Sequence, residues 1–268
     1  MEFRTKVDIP HGGFTIEPCE RMLFVGSCFA DNIGRRFQEE KFQATVNPFG
    51  VMYNPASILH TVRRTDCSPR RVVLTLGTNH VYILKSTGEI VDNCRKRPAR
   101  LFEERELTVD ECVGYLAQAV DELVSRCSDV RVIVTVSPIR YAKYGYHGSQ
   151  LSKATLLLAA DRLVAMYGGR VEYFPAYEIV CDELRDYRFY ADDMLHPSAV
   201  AVEYIWQRMQ ETYFSADTMN FLREWQPIKK GLAHRPSDPQ SAEYMEFRER
   251  LRVMTEQLAS RYPGFSAD

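Results

Sequence analysis

Two short runs, far apart in the chain, carry side chains suited to acyl transfer: Gly26-Ser27-Cys28-Phe29-Ala30 and Asp193-Met194-Leu195-His196-Pro197. The first follows the apolar run Met22-Leu23-Phe24-Val25 and leads into a helix-like segment, so it sets a small nucleophile on a strand-to-helix turn. The second offers an Asp and a His three residues apart. A hydroxyl, an imidazole to take its proton and a carboxylate to orient the imidazole are the minimal equipment for making and breaking an acyl-enzyme. On this reading Ser27 is the nucleophile, His196 the general base and Asp193 its partner, with Asp192 competing for the last role. Cys28 is the rival nucleophile, because a thiol at a helix N-terminus can ionise more readily. The plain alternatives are that Ser27 is a helix N-cap and Cys28 a small core residue.

Elements able to position these groups are readable from periodicity. Residues 21–25, 71–76, 81–84, 130–136 and 171–174 read as strands, and 130–136 (VRVIVTV) is apolar on both alternations, as for a strand covered on both faces. Helices are expected over 31–41, 56–64, 108–127, a stretch from 149 or 152 to 167, and 198–214. In the 108–127 segment Thr108 and Glu111 have capping-box spacing. Alternating strands and helices predict an α/β fold with a mostly parallel sheet and helices on both faces. The first 20 residues look irregular, broken by Pro10, His11, Gly12 and Gly13. Residues 219–232 and 241–262 are charged and helical, which divides the chain into a catalytic α/β domain at 1–216 and a C-terminal helical appendage at 217–268 packed on the core. That appendage is also a candidate surface for a protein partner.

The chain has 268 residues and a net charge of -2, so no broad attraction to nucleic acid or an anionic membrane is implied. No stretch approaches a bilayer-spanning apolar length. No apolar segment follows Met1-Glu2-Phe3-Arg4-Thr5-Lys6, so no signal peptide is expected. The seven cysteines are scattered, with no Cys-x-x-Cys, which predicts reduced thiols, a cytoplasmic location and no metal site. No cofactor is called for. In open parallel sheets, ligands bind beyond the carboxyl ends of strands. Arg140, His147, Lys153 and Arg188 are candidates for binding an anionic or sugar substrate, with Tyr141, Tyr144 and Tyr146 as surfaces on which a sugar could stack.

The Gly26–Ala30 run, Asn47-Pro48-Phe49-Gly50-Val51-Met52-Tyr53-Asn54-Pro55, Thr135-Val136-Ser137-Pro138-Ile139-Arg140, Ser152-Lys153-Ala154 and Asp186-Tyr187-Arg188-Phe189-Tyr190 lead up to the Asp193–Pro197 run. Over most of its length the chain resembles the GSCFA-domain family, which is similar to the SGNH (GDSL-like) hydrolases. The resemblance implies a three-layer α/β/α, flavodoxin-like fold and a serine esterase or acyl hydrolase acting on small O-acyl esters, carbohydrate O-acetyl esters among them. It matches Ser27 to the nucleophile, His196 to the base and Asp193 to the carboxylate. The implied oxyanion donors are the Ser27 N–H, the Gly50 N–H and the Asn79 side-chain amide. Two departures stand out: Gly26 occupies the position of the usual acid before the nucleophile, and His80 replaces the acid after the asparagine. An acyltransferase, or a non-catalytic binding module on the same fold, remains an alternative.

Overall fold

The computed structural model describes residues 4–10, 12–94 and 96–267. Met1 to Phe3, His11, Arg95 and Asp268 lie outside the described residues, and with them part of the expected irregular leader. In chain order the elements are β1 (Arg21–Gly26), α1 (Cys28–Glu39), β2 (Gln43–Val46), α2 (Pro55–Arg64), β3 (Arg71–Leu76), β4 (His80–Leu84), β5 (Glu89–Val91) and β6 (Phe102–Glu106). There follow α3 (Val109–Arg126), β7 (Arg131–Val136), α4 (Gly145–Tyr167), β8 (Val171–Tyr173), α5 (Ala176–Glu178), α6 (Ala199–Tyr213), α7 (Ala216–Leu232) and α8 (Ala242–Arg261).

Five strands form one sheet in the order β2-β1-β3-β7-β8, and every neighbouring pair is parallel. Period-two side-chain alternation divides each central strand between two cores. Met22 and Phe24 of β1, Val73 of β3 and Ile133 of β7 face one core, shared with α1, α6 and α7. Leu23, Val25, Val72, Leu74, Val132 and Val134 face the other, shared with α2, α3 and α4. The architecture is therefore three layers, with a mostly parallel sheet in the middle. The strand order turns back between β1 and β3, which makes their carboxyl ends the place to look for a ligand.

Three strands were not apparent from periodicity. β2 has the sequence QATV and is only partly buried, as an edge strand is. β5 and β6 flank β4 in a small antiparallel sheet, and the charged FEERE of β6 conceals it. The 108–127 helix is bounded as its capping box requires: Thr108 and Glu111 bond reciprocally.

The C-terminal helices lie against the α1 side. Phe221, Trp225 and Ile228 of α7, Leu258 of α8 and Tyr262 beyond it join the core cluster of that face. The nearly inaccessible Glu40 carboxylate, just after α1, accepts from Lys229 at 2.9 Å and Gln226 at 2.9 Å and also meets Arg36. No helix among the described residues is long and apolar enough to cross a membrane.

Candidate active site

The turn after β1 is built around one backbone conformation. Gly26 has φ +146°, and a Cβ there would stand 2.2 Å from the Thr75 carbonyl oxygen on β3. The Gly26 N–H donates to Asn47 Oδ1 at 2.9 Å, and Asn47 in turn donates to Asp31 at 2.6 Å. Gly26 thus lets β1 run tight against β3 and turn into α1.

Ser27 is the N-cap of α1, and its Oγ accepts from the Phe29 N–H at 3.1 Å. The hydroxyl is fully buried and also lies 2.7 Å from Ser137 Oγ and 3.3 Å from Thr75 Oγ1. It therefore joins the carboxyl ends of β1, β3 and β7. The expectation that Ser27 faces His196 is not met. The side chain opposite His196 is that of Cys28, the first residue of the helix: its Sγ is 3.2 Å from His196 Nε2. A cap turns its side chain back on its own helix, whereas the next residue projects away from the turn.

His196 is held by local geometry. Asp193 Oδ2 is 2.6 Å from His196 Nδ1, while Oδ1 accepts the backbone N–H groups of Leu195 at 2.9 Å and His196 at 3.0 Å. The backbone and imidazole N–H groups of His196, followed by the Leu195 N–H, hold the Asp193 carboxyl down to about 2, so it stays a carboxylate. A carboxylate only accepts, which puts the proton on Nδ1 and leaves the Nε2 lone pair for the thiol. The Cys28 thiol is pushed above its ordinary value by burial, against the pull of the N–H groups of Cys28 and Phe29. The thiol therefore rests protonated, with the imidazole within reach of its proton. Asp192 makes no such contact with His196 among the described residues.

Arg140 holds the loop that carries His196. Its N–H donates to the Leu195 carbonyl at 3.0 Å, and its guanidinium to the Met194 carbonyl at 3.0 Å, beneath the rings of Tyr146, Tyr187 and Tyr190. Replacing Arg140 with Met should lower kcat on the order of 10-fold to 100-fold, with KM little changed, because the imidazole loses its fixed position. Steady-state kinetics on the folded variant checks this.

Lys153 is almost fully buried, and its Nζ donates to the carbonyls of Gly77 at 2.7 Å and Ser137 at 2.8 Å. It thus supports the floor of the site. Burial lowers its pKa to about 7 from an ordinary 10.5. Between these values the unfolded chain holds a proton that the folded chain has released, so folding stability should rise with pH across this window. Relative to Lys153→Met, wild-type stability should gain on the order of a few kcal/mol between pH 7 and 10.5. Urea unfolding at both pH values measures it.

The other expected site residues are placed differently. The Gly50 N–H donates to the Asn47 carbonyl at 2.8 Å, closing its own turn, and Gly50 is exposed. The Asn79 amide, just before β4, donates to the carbonyl of Leu107, just after β6, at 2.8 Å, and both residues are buried. The Gly50 N–H is therefore spent, while the Asn79 amide has one of its two hydrogens turned to Leu107. The Ser27 N–H donates to Thr75 Oγ1 at 3.0 Å and the Thr75 carbonyl at 3.2 Å. The Cys28 N–H, at the open end of α1, meets no acceptor outside its own residue among the described residues. His147 stands exposed on the first turn of α4, and Arg188 points to solvent beside Phe189. His80 stacks on Tyr144 at 3.6 Å.

A groove of about 360 Å3, lined by Asn32, Arg35, Pro197 and Ala199, runs between α1 and α6, and neither Cys28 nor His196 lines it. A larger concavity of about 510 Å3, around His234, Tyr244 and Phe247, shares no residue with the site. Among the described residues no group of three or more His, Cys, Asp or Glu side chains is placed to hold a metal ion.

The fold and the site geometry are those of an α/β protein with its candidate chemistry at the carboxyl ends of a parallel sheet. The GSCFA family model matches residues 21–70 and 66–209, so the chain belongs to the GSCFA family. The model of the C-terminal domain of GSCFA domain proteins matches residues 225–268. No curated protein matches. Similar solved structures include a candidate platelet activating factor from Streptococcus pneumonia, at 16% identity and TM-score 0.50, covering 73% of this chain and 84% of that one. A catalytic mutant of an acetylxylan esterase from Geobacillus stearothermophilus is 14% identical with TM-score 0.48, covering 75% of this chain and 98% of that one. A carbohydrate esterase family 3 protein from Talaromyces cellulolyticus is 10% identical with TM-score 0.42, covering 76% and 99%.

Proposed function

We propose that this protein is a thiol-dependent acyl hydrolase or acyltransferase acting on small O-acyl esters. The observation that carries the reading is the chain of contacts from Cys28 Sγ to His196 Nε2 at 3.2 Å and from His196 Nδ1 to Asp193 Oδ2 at 2.6 Å. His196 takes the thiol proton as sulfur attacks the ester carbonyl, and the carbonyl electron pair moves onto oxygen. The tetrahedral adduct collapses, the C–O bond breaks, and the alcohol leaves with the proton from His196. Cys28 then carries a thioester. Water or an acceptor alcohol, deprotonated by His196, attacks it and restores the thiol. Ser27 caps the helix, and Arg140 and Lys153 hold the site together.

The exposed rings of Tyr146 and Tyr187, both beside Arg140, offer faces for a sugar. O-acetylated oligosaccharides are therefore the first natural substrates to try. The proposal is tested by titrating the protein with iodoacetamide and following p-nitrophenyl acetate turnover. Loss of activity in proportion to Cys28 carbamidomethylation supports it. Full activity after complete Cys28 modification contradicts it.

A further inference from the structure

The reaction above needs hydrogen-bond donors where negative charge gathers on oxygen. The backbone amides lining the site are largely spent: Gly77 and Thr78 both donate to the Tyr53 carbonyl, at 3.0 and 2.8 Å, and Asn79 to Ser152 Oγ at 3.1 Å. The Gly50 N–H closes its own turn and the Asn79 amide is turned to the Leu107 carbonyl, so the Cys28 N–H needs a companion.

One side chain at this spot is in the opposite position. The Tyr141 hydroxyl is shut off from solvent and meets no hydrogen-bond partner among the described residues. An unmet phenol is expensive to bury, and its presence calls for a reason. Its position is well defined. The Tyr141 N–H donates to Ser149 Oγ at 3.1 Å, the ring meets Tyr53 edge-on with centroids 6.1 Å apart, and Lys153 Nζ lies 5.4 Å from the ring centroid. The hydroxyl oxygen ends 2.8 Å from the point where a Cβ on Gly77 would stand, and Ser27 Cβ is 3.3 Å from that same point. The absence of a side chain at Gly77 thus makes room for the phenol beside the Ser27-Cys28 turn. Burial, followed by the proximity of Cys28 and Tyr53, raises its pKa, so it remains a donor.

We infer that Tyr141 is a catalytic residue whose O–H donates to the oxyanion formed on the acyl carbon, alongside the Cys28 N–H. The inference rests on the Cys28 reading above. When sulfur adds to the carbonyl, the new O⁻ accepts from both groups. When the C–O bond to the alcohol breaks, the electron pair returns and the donors are released. The phenol keeps its proton throughout.

The test is Tyr141→Phe, assayed for the pre-steady-state release of p-nitrophenol from p-nitrophenyl acetate and, in parallel, for alkylation of Cys28 by iodoacetamide. Displacement of iodide builds no oxyanion, so the two probes separate the donor from the thiol. The acylation rate should fall on the order of 10²-fold. Alkylation should be unchanged within about twofold, as expected if only the oxyanion has lost a partner. The melting temperature should stay level or rise, because an unpartnered buried hydroxyl has been removed. Acylation within about threefold of wild type overturns the inference, because one oxyanion donor carries far more than that. So does an equal fall in acylation and alkylation, or a variant that does not fold. A wild type that releases no p-nitrophenol overturns the Cys28 reading itself, and the inference with it. An active wild type with an equally active Tyr141→Phe overturns the inference alone.

Discussion

Replacing Cys28 with Ala should abolish ester turnover, a fall on the order of 10⁴-fold or more, while the protein remains folded. Removing the nucleophile leaves only binding and whatever stabilises the oxyanion, which together account for a small residue of the rate. The thiol is half-buried at the start of α1, and Ala loses only one sulfur atom from the edge of the core, so unfolding should be close to that of wild type. Ser27→Ala provides the contrast. It removes the α1 cap and the link to Ser137, and should cost about 1–2 kcal/mol of stability while retaining most of the activity. Parallel measurement of kcat/KM and urea unfolding on both variants decides the point. Equal loss of activity in the two, with equal stability, would contradict the assignment.

Gly26→Ala should have the largest effect on the fold. The backbone there has φ +146°, a region that residues with a Cβ rarely adopt, and the added carbon would stand 2.2 Å from the Thr75 carbonyl oxygen and 2.5 Å from its hydroxyl. These atoms belong to a central strand paired with β1 in register, Gly26 opposite Thr75, so they cannot move without breaking the sheet. The cost should exceed about 4 kcal/mol, which for a chain of this size means a melting temperature lower by about 10 °C or more, or no soluble protein. Thermal unfolding and soluble yield measure it. A variant within about 1 kcal/mol of wild type would show that the turn is not built as described.

The parts of this molecule that depend on local patterning were legible in the sequence. The central strands β1, β3 and β7 are buried on both faces, so their residues form continuous apolar runs. The α3 capping box and the Asp193–His196 spacing each close within a single turn, so residue type and separation suffice to find them. The choice between Ser27 and Cys28 was harder, because it hinges on which of two adjacent residues caps the helix. The usable signal was serine's own preference for the cap, which turns its hydroxyl inward and leaves the following side chain to face the cleft. Gly50 and Asn79 were drawn toward the oxyanion by motif. Where an N–H points is a tertiary matter: the Asn47 carbonyl takes that of Gly50, and the Leu107 carbonyl turns the Asn79 amide toward itself. Lys153 and Arg140 stand out in the sequence only as candidates for binding substrate. Their carbonyl partners are brought to them by strand ends and loops distant in sequence, which no local pattern records. The β2 and β6 strands were concealed by their polar, edge-exposed sequences.

The most direct test of the central claim is to mix the protein with p-nitrophenyl acetate, quench in acid, and locate the acetyl group by peptide mass mapping. The account predicts a mass gain of one acetyl group on the peptide containing Cys28, labile to hydroxylamine as a thioester is, and absent from Cys28→Ala. An acetyl group on Ser27, or one that persists in Cys28→Ala at the same turn, would contradict it.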